Sequence, residues 1–516
     1  MKRIISLLLC VFMTVALFCG CTAEDTPYTP TGDGLTWDED YTGPVYTKPV
    51  EDAEQVLKLT YYPDRSMNPF VCTDFTNRAL FSLLYQSLFA VDRSYNIEPQ
   101  LCKKYRVSED MKTYTFYLEN ATFTDGSILT AQDVVASLQA AKESKFYGGR
   151  FAHISQIDVS DDGGVTVTLT TPFENLPLLL DIPILKQSQL QEDWPMGTGP
   201  YYPDGGEQAA VLRRNTNWWC RAEMVITASA ISLTAAESTA GIRDDFEFNG
   251  LSLVCADPGS DRYADYRCDY ELWDIENNIF LYLGCNMDSE VFSNATVRSA
   301  LVRAVDRDML AESYYRGFAR SASLPASPLS PYYSNVLAAK YVYDGGTSFA
   351  QAVTDASLSG KEIILLVNSD DSLRVRVARE IGQMLTASGL KVQLQEQPTS
   401  QYEQTLKWRT YDLYLGQTKL SNNMDLTSFF SSKGSLNYGK ISDVAMYTLC
   451  TEALANHGNY YTLHKSIMDD GRLCPILFRS YAVYATRGLL TGLTPTRDNV
   501  FYYSLGKTME NALITQ

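Results

Sequence analysis

Histidine is close to absent from this chain: His153, His457 and His464 are the three in 516 residues. No His-Glu-x-x-His pair occurs, so the two-histidine helix of a zinc hydrolase is missing, and no Gly-x-Ser-x-Gly elbow offers an activated serine. Cys-x-x-Cys spacing is missing too. Past Cys21 the cysteines are Cys72, Cys102, Cys220, Cys255, Cys268, Cys285, Cys450 and Cys474, too scattered for a zinc cluster. No metal and no cofactor is expected. Positive charge is in the minority: 43 Lys and Arg stand against 61 Asp and Glu, a net charge of −18. Such a surface repels phosphate backbones and anionic lipid, which argues against nucleic acid or a membrane surface as partner. The phrase Gly197-Thr198-Gly199-Pro200-Tyr201 has no Gly-Lys-Ser/Thr after it, so it lacks the lysine of a phosphate loop. The acids permit many carboxylate pairs, which leaves a hydrolase as the one enzymatic alternative. No enzymatic activity is expected.

Long apolar runs are also scarce. Ile4 to Phe18 is nearly unbroken and follows Lys2 and Arg3, and Cys19-Gly20-Cys21 comes next. The run of about 15 residues falls short of the roughly 20 that a spanning helix needs. Residues 1–20 read as a signal peptide with cleavage before Cys21 and lipid on its thiol. Phe18 departs from the usual Leu, and an ordinary cleaved signal or an N-terminal anchor is the alternative. Residues 21–52 are rich in Thr, Pro, Asp, Gly and Tyr without periodicity, as in a flexible tether. An exported chain permits disulfides, although the sequence does not say which. Cys285 lies in an apolar stretch and is expected to be a buried thiol.

What is abundant is apolar and aromatic surface: 45% hydrophobic residues, with 34 tyrosines and six tryptophans. Val56–Tyr62 alternates and reads as a first strand. Met67-Asn68-Pro69-Phe70 follows, then a helix expected over 77–89 and ending in Tyr85-Gln-Ser-Leu88. Tyr114–Leu118 and Val165–Leu169 alternate as strands. Between them Phe123-Thr-Asp-Gly-Ser-Ile-Leu-Thr-Ala-Gln-Asp-Val134 holds a tight-turn Asp125-Gly126 and a capping box of Thr130 with Asp133, opening a helix over 131–142. Leu272–Leu310 organises the middle of the chain. In it a buried strand, Ile279–Cys285, precedes a polar loop, a helix capped by Asn294, and a second turn capped by Asp306. Residues 317–360 read as an irregular crossing. Glu362–Val367, a helix over 372–388 closed by Gly389, and Val392–Gln395 make a strand-helix-strand unit, hence a parallel pair. Tyr411-Asp-Leu-Tyr-Leu415 and Ser428-Phe429-Phe430 follow, and Pro475–Phe478 begins a last strand region.

In that order these phrases resemble the oligopeptide-binding class, family 5, of extracellular solute-binding proteins, the lipoproteins that serve ATP-binding cassette importers. The phrases that carry it are the Gly-x-Asn after a buried strand, Val297-Arg-Ser-Ala-Leu301, Ala304-Val-Asp-Arg307, the Asp125-Gly126 phrase and Gly197–Tyr201. Asn215-Thr-Asn-Trp-Trp219 and Tyr411-Asp-Leu413 add to it. The likeness runs over nearly all of residues 55–510. It implies an α/β, two-lobe type II periplasmic-binding-protein-like fold, with an extra subdomain in lobe I and a ligand cleft between lobes. The expected division is 53–275 as lobe I with 80–195 as the subdomain, 276–481 as lobe II, and 482–516 returning to lobe I. Crossings are expected near Asn277–Leu281 and Tyr481.

The function the resemblance implies is capture of a short peptide or other small solute by hinge closure and delivery to a membrane permease. The protein is then expected to be a monomer, held at the extracytoplasmic face of the membrane by the lipid on Cys21. A ligand-sensing lipoprotein of the same fold is the alternative. Trp273 and Asn286, flanking the crossing strand, and Asn68 are candidate cleft residues. Peptide-binding relatives hold the peptide amine with an Asp just after the Tyr-Asp-Leu strand. Anchoring on Thr427-Ser428-Phe429 puts Asn422 there, with Lys419 three residues earlier. A shifted register gives the place to Asp425. With Asn422 the ligand need not carry a free amine and an acidic group could face Lys419; with Asp425 the amine is required.

Overall fold

The computed structural model describes residues 57–514 except 206–210, 221, 223, 261, 262 and 264. The signal segment, Cys21 and the tether lie outside the described residues. The strands, in chain order, are β1 (Leu57–Tyr61), β2 (Phe89–Val91), β3 (Ile97–Pro99), β4 (Cys102–Val107), β5 (Thr113–Leu118) and β6 (Ile154–Val159). Then come β7 (Val165–Leu169), β8 (Tyr201–Asp204), β9 (Val211–Arg214), β10 (Ala230–Ala235), β11 (Leu253–Ala256) and β12 (Glu271–Cys285). The last are β13 (Ala319–Ser321), β14 (Glu362–Asn368), β15 (Lys391–Gln397), β16 (Leu413–Lys419) and β17 (Leu473–Ala485).

Local chemistry explains the boundaries. The helix Ala131–Glu143 begins at a reciprocal capping box: Asp133 N–H donates to Thr130 Oγ1 at 3.3 Å, and Asp133 Oδ2 accepts from Thr130 N–H at 2.9 Å. Asn294 and Asp306 cap Ala295–Leu301 and Arg307–Tyr315 through their side-chain oxygens. The helix expected over 77–89 is instead two single turns, Phe75–Arg78 and Phe81–Leu84, followed by β2. The run carrying Leu83, Leu84 and Leu88 is buried all round, so its leucines mark burial rather than a helical face. Residues 317–360 are also more regular than expected, with β13 and the helix Thr347–Asp355, whose Phe349 and Val353 are fully buried.

Three main sheets result. β1-β10-β9-β8 and the antiparallel β4-β5-β7-β6 pack into one large core. The seven-stranded sheet β11-β17-β12-β16-β14-β15, with β13 beside β17, is mixed, and β14 and β15 pair in parallel around the helix Ser372–Ala387. β12 and β17 run through two bodies. Trp273, Ile275 and Val483 belong to the first core, whereas Leu281, Leu283, Cys285, Ile476 and Leu477 belong to a second. Between them the ladder is broken: Glu276 pairs with Ser480 and Phe280 with Phe478, so Asn277, Asn278 and Ile279 oppose Arg479 alone. Asn278 adopts φ 58°, a left-handed conformation that Asn tolerates better than most residues. All eight cysteines of the described chain are free thiols, and Cys285 is fully buried.

β12 and β16 meet through two glycine–tyrosine pairs, Gly284 under Tyr414 and Gly416 under Tyr282. A methyl group on Gly284 would stand 2.2 Å from the Tyr414 ring. Both rings are almost fully buried and cannot swing into solvent. Gly284→Ala is expected to destabilise the protein by about 1–3 kcal/mol through overpacking, read as a lower urea midpoint with unchanged slope.

Candidate functional site

Where the bodies face each other the chain places a polar relay beside an apolar contact. Tyr95 Oη, on the first body, donates to Asn278 Oδ1 at 2.6 Å. Asn278 Nδ2 donates to Asn422 Oδ1 at 3.0 Å, and Asn422 Nδ2 returns to the first body at the Leu178 carbonyl, 3.1 Å, and Asp181, 3.3 Å. Asp181 is paired with Arg150, which also reaches Asp498 at 3.6 Å. Lys419 Nζ crosses from β16 to Asp498 at 2.6 Å and lies 4.3 Å from the Phe146 ring centre. Arg78 stacks on Phe146 and donates to Tyr147 Oη at 2.8 Å.

Burial and charge set the protonation tendencies. Burial pushes the Asp181 carboxyl up, and Arg150 offsets only part of that. Asp498 is held below its usual range: burial acts upward, but Lys419, Arg78 and Arg150 outweigh it. Burial lowers the Lys419 ammonium. A second bridge joins His153 Nε2 to Asp425 at 3.2 Å and to Thr427 Oγ1 at 3.0 Å. Asp425 is held down although burial opposes it, because His153 and the Thr427 amide bond to the anion. His457 pairs with Glu174 at the surface, and His464 is buried without a hydrogen-bond partner, its imidazole pushed down to about 3.

Beside the relay opens a cavity of about 910 Å³, walled by Tyr95, Phe173 and Tyr502 on one side and Tyr332, Asn423 and Tyr460 on the other. Its walls also carry Asp92, Glu98, Glu174 and Glu510 beside Lys507, and it has room for a solute several residues long.

The structure brings Lys419, Asn422 and Asp425 to this boundary. It does not bring the other candidates there. Trp273 is 5% exposed inside the first core, where the strand carrying it packs against β17. Asn286 donates to the carbonyls of Arg409, 3.0 Å, and Tyr411, 2.7 Å, and so ties a loop. Asn68 binds the Leu190 and Glu192 carbonyls and the Phe70 amide, fixing the turn before Pro69. Both amides are saturated by backbone, which is why an Asn stands in each phrase. Sequence reading missed Arg78, Arg150, Asp181, Asn278 and Asp498. Asp181 was visible as a lone charge within Leu176–Ile184, and Asn277-Asn278 as a polar break inside an apolar strand. Arg78, Arg150 and Asp498 carry no local signal.

Two lobes joined by through-running strands, with a chamber between them, define a two-lobe binding protein of the periplasmic type. The family model of bacterial extracellular solute-binding proteins, family 5, matches residues 96–440, and the chain belongs to that family. Among solved structures, the ABC transporter substrate-binding protein CtaP of Listeria monocytogenes has a TM-score of 0.72 at 17% identity, covering 90% of this chain and 100% of its own. The oligopeptide-binding protein AppA of Bacillus subtilis, in complex with a nonapeptide, has a TM-score of 0.61 at 19% identity, over 89% of this chain and 100% of its own. The glutathione-binding protein GsiB of Escherichia coli is 24% identical over 294 residues, 52% of this chain and 55% of GsiB. The chain spans about half the length of the curated relatives it matches.

Glu276, where β12 leaves the first body, is pushed up to about 7 by burial, with Ser327 and Arg320 opposing. Its Oε2 meets no hydrogen-bond partner. The folded protein therefore holds a proton there that the unfolded chain releases nearer the ordinary value of 4.5. Between about pH 4.5 and 7 this group lowers stability as pH rises. Glu276→Gln is expected to stabilise the protein at pH 8 by about 1–3 kcal/mol, one pKa unit being about 1.4 kcal/mol, and to do little at pH 4. Denaturant titrations of both proteins at the two pH values check this.

Proposed function

We propose that the chain is the solute-binding component of an ATP-binding cassette importer. It captures a short peptide or similar small solute between its lobes and presents it to the membrane permease, without covalent chemistry. The observation that carries this reading is the Tyr95–Asn278–Asn422–Asp181 relay, which crosses the lobe boundary twice beside an aromatic chamber. Family membership and the peptide and glutathione ligands named for AppA and GsiB support the solute class. Closure works by binding one lobe arrangement better than the other. The proposed division is 53–275 with 482–516 against 276–481, with 80–195 as a subdomain. The change of core between Ile275 and Leu281, and between Leu477 and Val483, supports it. Among the described residues no helix is long and apolar enough to cross a membrane. Attachment is proposed through lipid on Cys21, with the protein working as an extracytoplasmic monomer.

Native mass spectrometry of the purified protein identifies the co-purified solute, and a peptide or peptide-like mass is expected. A sugar or a metal complex as the sole occupant would overturn the peptide reading. In this reading Asn422, already bonded to Asp181, stands where an amine anchor would be, and Asp425 is held by His153. Calorimetry is expected to give similar affinities for a bound peptide and its N-acetylated form. Loss of binding on acetylation, reproduced by Asp425→Asn at unchanged melting temperature, would make Asp425 the anchor. Cys21→Ala is expected to abolish labelling with a fatty-acid probe; unchanged labelling would remove the lipid anchor.

A further inference from the structure

The large chamber between the lobes has one acidic wall. Asp92, Glu98, Glu174 and Glu510 line it against a single lysine, Lys507. All five belong to the first lobe: the β2–β3 hairpin, the segment after β7 and the C-terminal return. The facing wall holds Tyr332, Asn423, Tyr460 and His457. Lys507 does not balance the acids beside it. Its Nζ is held by Glu119 at 2.9 Å and by the Gln100 carbonyl at 3.1 Å, neither of which lines the chamber. His457 is matched by Glu174. Arg497 stands outside the lining and donates to the carbonyls of Asp92 and Arg93. Among the described residues, Asp92, Glu98 and Glu510 therefore pair with no cation.

Glu98 distinguishes this wall from ordinary acidic surface. It is 7% exposed, and its carboxylate only accepts. Oε1 takes Ser504 Oγ, 2.8 Å, and the amides of Leu505, 2.6 Å, and Lys507, 3.1 Å, whereas Oε2 takes Tyr502 Oη alone, 3.1 Å. Oε2 thus keeps acceptor capacity. Exposed acids are screened by water and salt, but a buried carboxylate held by dipoles alone gains from a cation brought to it. The rings of Tyr95, Phe173, Tyr332, Tyr460 and Tyr502 stand around the same space, and ring faces attract cations. We propose that this wall is a cation subsite, selecting solutes that carry a guanidinium or ammonium on a side chain. Glu98 is the buried partner, and Asp92 and Glu510 lie nearer solvent. Lys419, expected to meet an acidic group, is outside the lining and stays with Asp498. Asn422 and Asp425 are outside it too, so the preference does not depend on a free α-amine.

The proposal rests on the solute-capture reading and narrows its solute class. The test is calorimetry on the full chain, freed of co-purified solute by reversible denaturation, with triarginine and tricitrulline, both N-acetylated and C-amidated. Citrulline keeps the length and planar end of arginine without its charge. Triarginine is expected to bind about tenfold more tightly, by a margin that added salt narrows. Glu98 also anchors the C-terminal return, so its removal risks the fold. The chamber variant is therefore Asp92→Asn with Glu510→Gln. It is expected to cut the preference to about threefold or less and to leave tricitrulline unchanged. A surface variant, Glu312→Gln with Glu362→Gln, removes the same charge from exposed positions outside the chamber and is expected to keep the preference. Equal affinities for the two peptides would overturn the subsite while leaving peptide capture intact. A preference that survives in the chamber variant, or falls equally in the surface variant, would assign it to the acidic surface as a whole and overturn the subsite as well. Binding of neither peptide would also overturn it, and the capture reading would then be judged on the co-purified solute alone.

Discussion

The rest of the structure depends on one ladder, the antiparallel pairing of β12 with β17. These two strands are the continuous backbone shared by both lobes, and buried backbone groups must be paired somewhere. Along most of their length they pair with each other and with β11, β13 and β16. The pairing of β12 with β17 shifts register twice, between Leu281 and Tyr282 and, more widely, across Asn277–Ile279, where side chains and local geometry substitute. Asn277 Oδ1 accepts the Ile279 amide, and the Asn278 carbonyl accepts the Leu420 amide. Bending at this wider break disturbs fewer ladder hydrogen bonds than bending within the regular stretches on either side.

The same bulge turns Asn278 toward Asn422 and Tyr95, so the break in the ladder and the polar relay share residues. The polar character of the boundary follows. An apolar interface between the lobes would hold them shut without a solute, whereas hydrogen bonds and ion pairs exchange readily for water when the lobes part. Val91, Tyr95 and Leu178 of the first lobe also join an apolar cluster with Phe280 and Met424 of the second, beside the ion pairs.

Much of the fold was legible because local signals and tertiary demands agree. Thr130 with Asp133, Asn294, Asp306 and the parallel unit around Ser372–Ala387 behave in three dimensions as their spacing requires. Failures arose where burial erased periodicity, as in the two turns between Phe75 and Leu84. The site was less legible. Of its residues only Lys419, Asn422 and Asp425 were reached, through the likeness of one segment to a family. Arg78, Arg150 and Asp498 lie far apart in the chain and meet only once the lobes form, so no window of sequence contains their relation. The tyrosines show the same divide. Tyr282, Tyr414 and Tyr484 are core rings, whereas Tyr332 and Tyr502 line the chamber, and their local sequences do not distinguish them.

The ladder also fixes an order of assembly. The second core draws on one uninterrupted stretch of chain, from Leu281 to Leu477. Lobe I does not: β11 must wait for its neighbour β17, more than 200 residues later, and Glu98 for the amides of Leu505 and Lys507. Contacts of such separation form late and slowly. Sequence separation therefore favours early completion of the second core, whereas the first, which supplies Arg78, includes contacts that need the last residues of the chain. The molecule acquires its architecture from the middle outward, and a chain cut short near residue 480 would leave a folded lobe II beside a lobe I that lacks its closing strand.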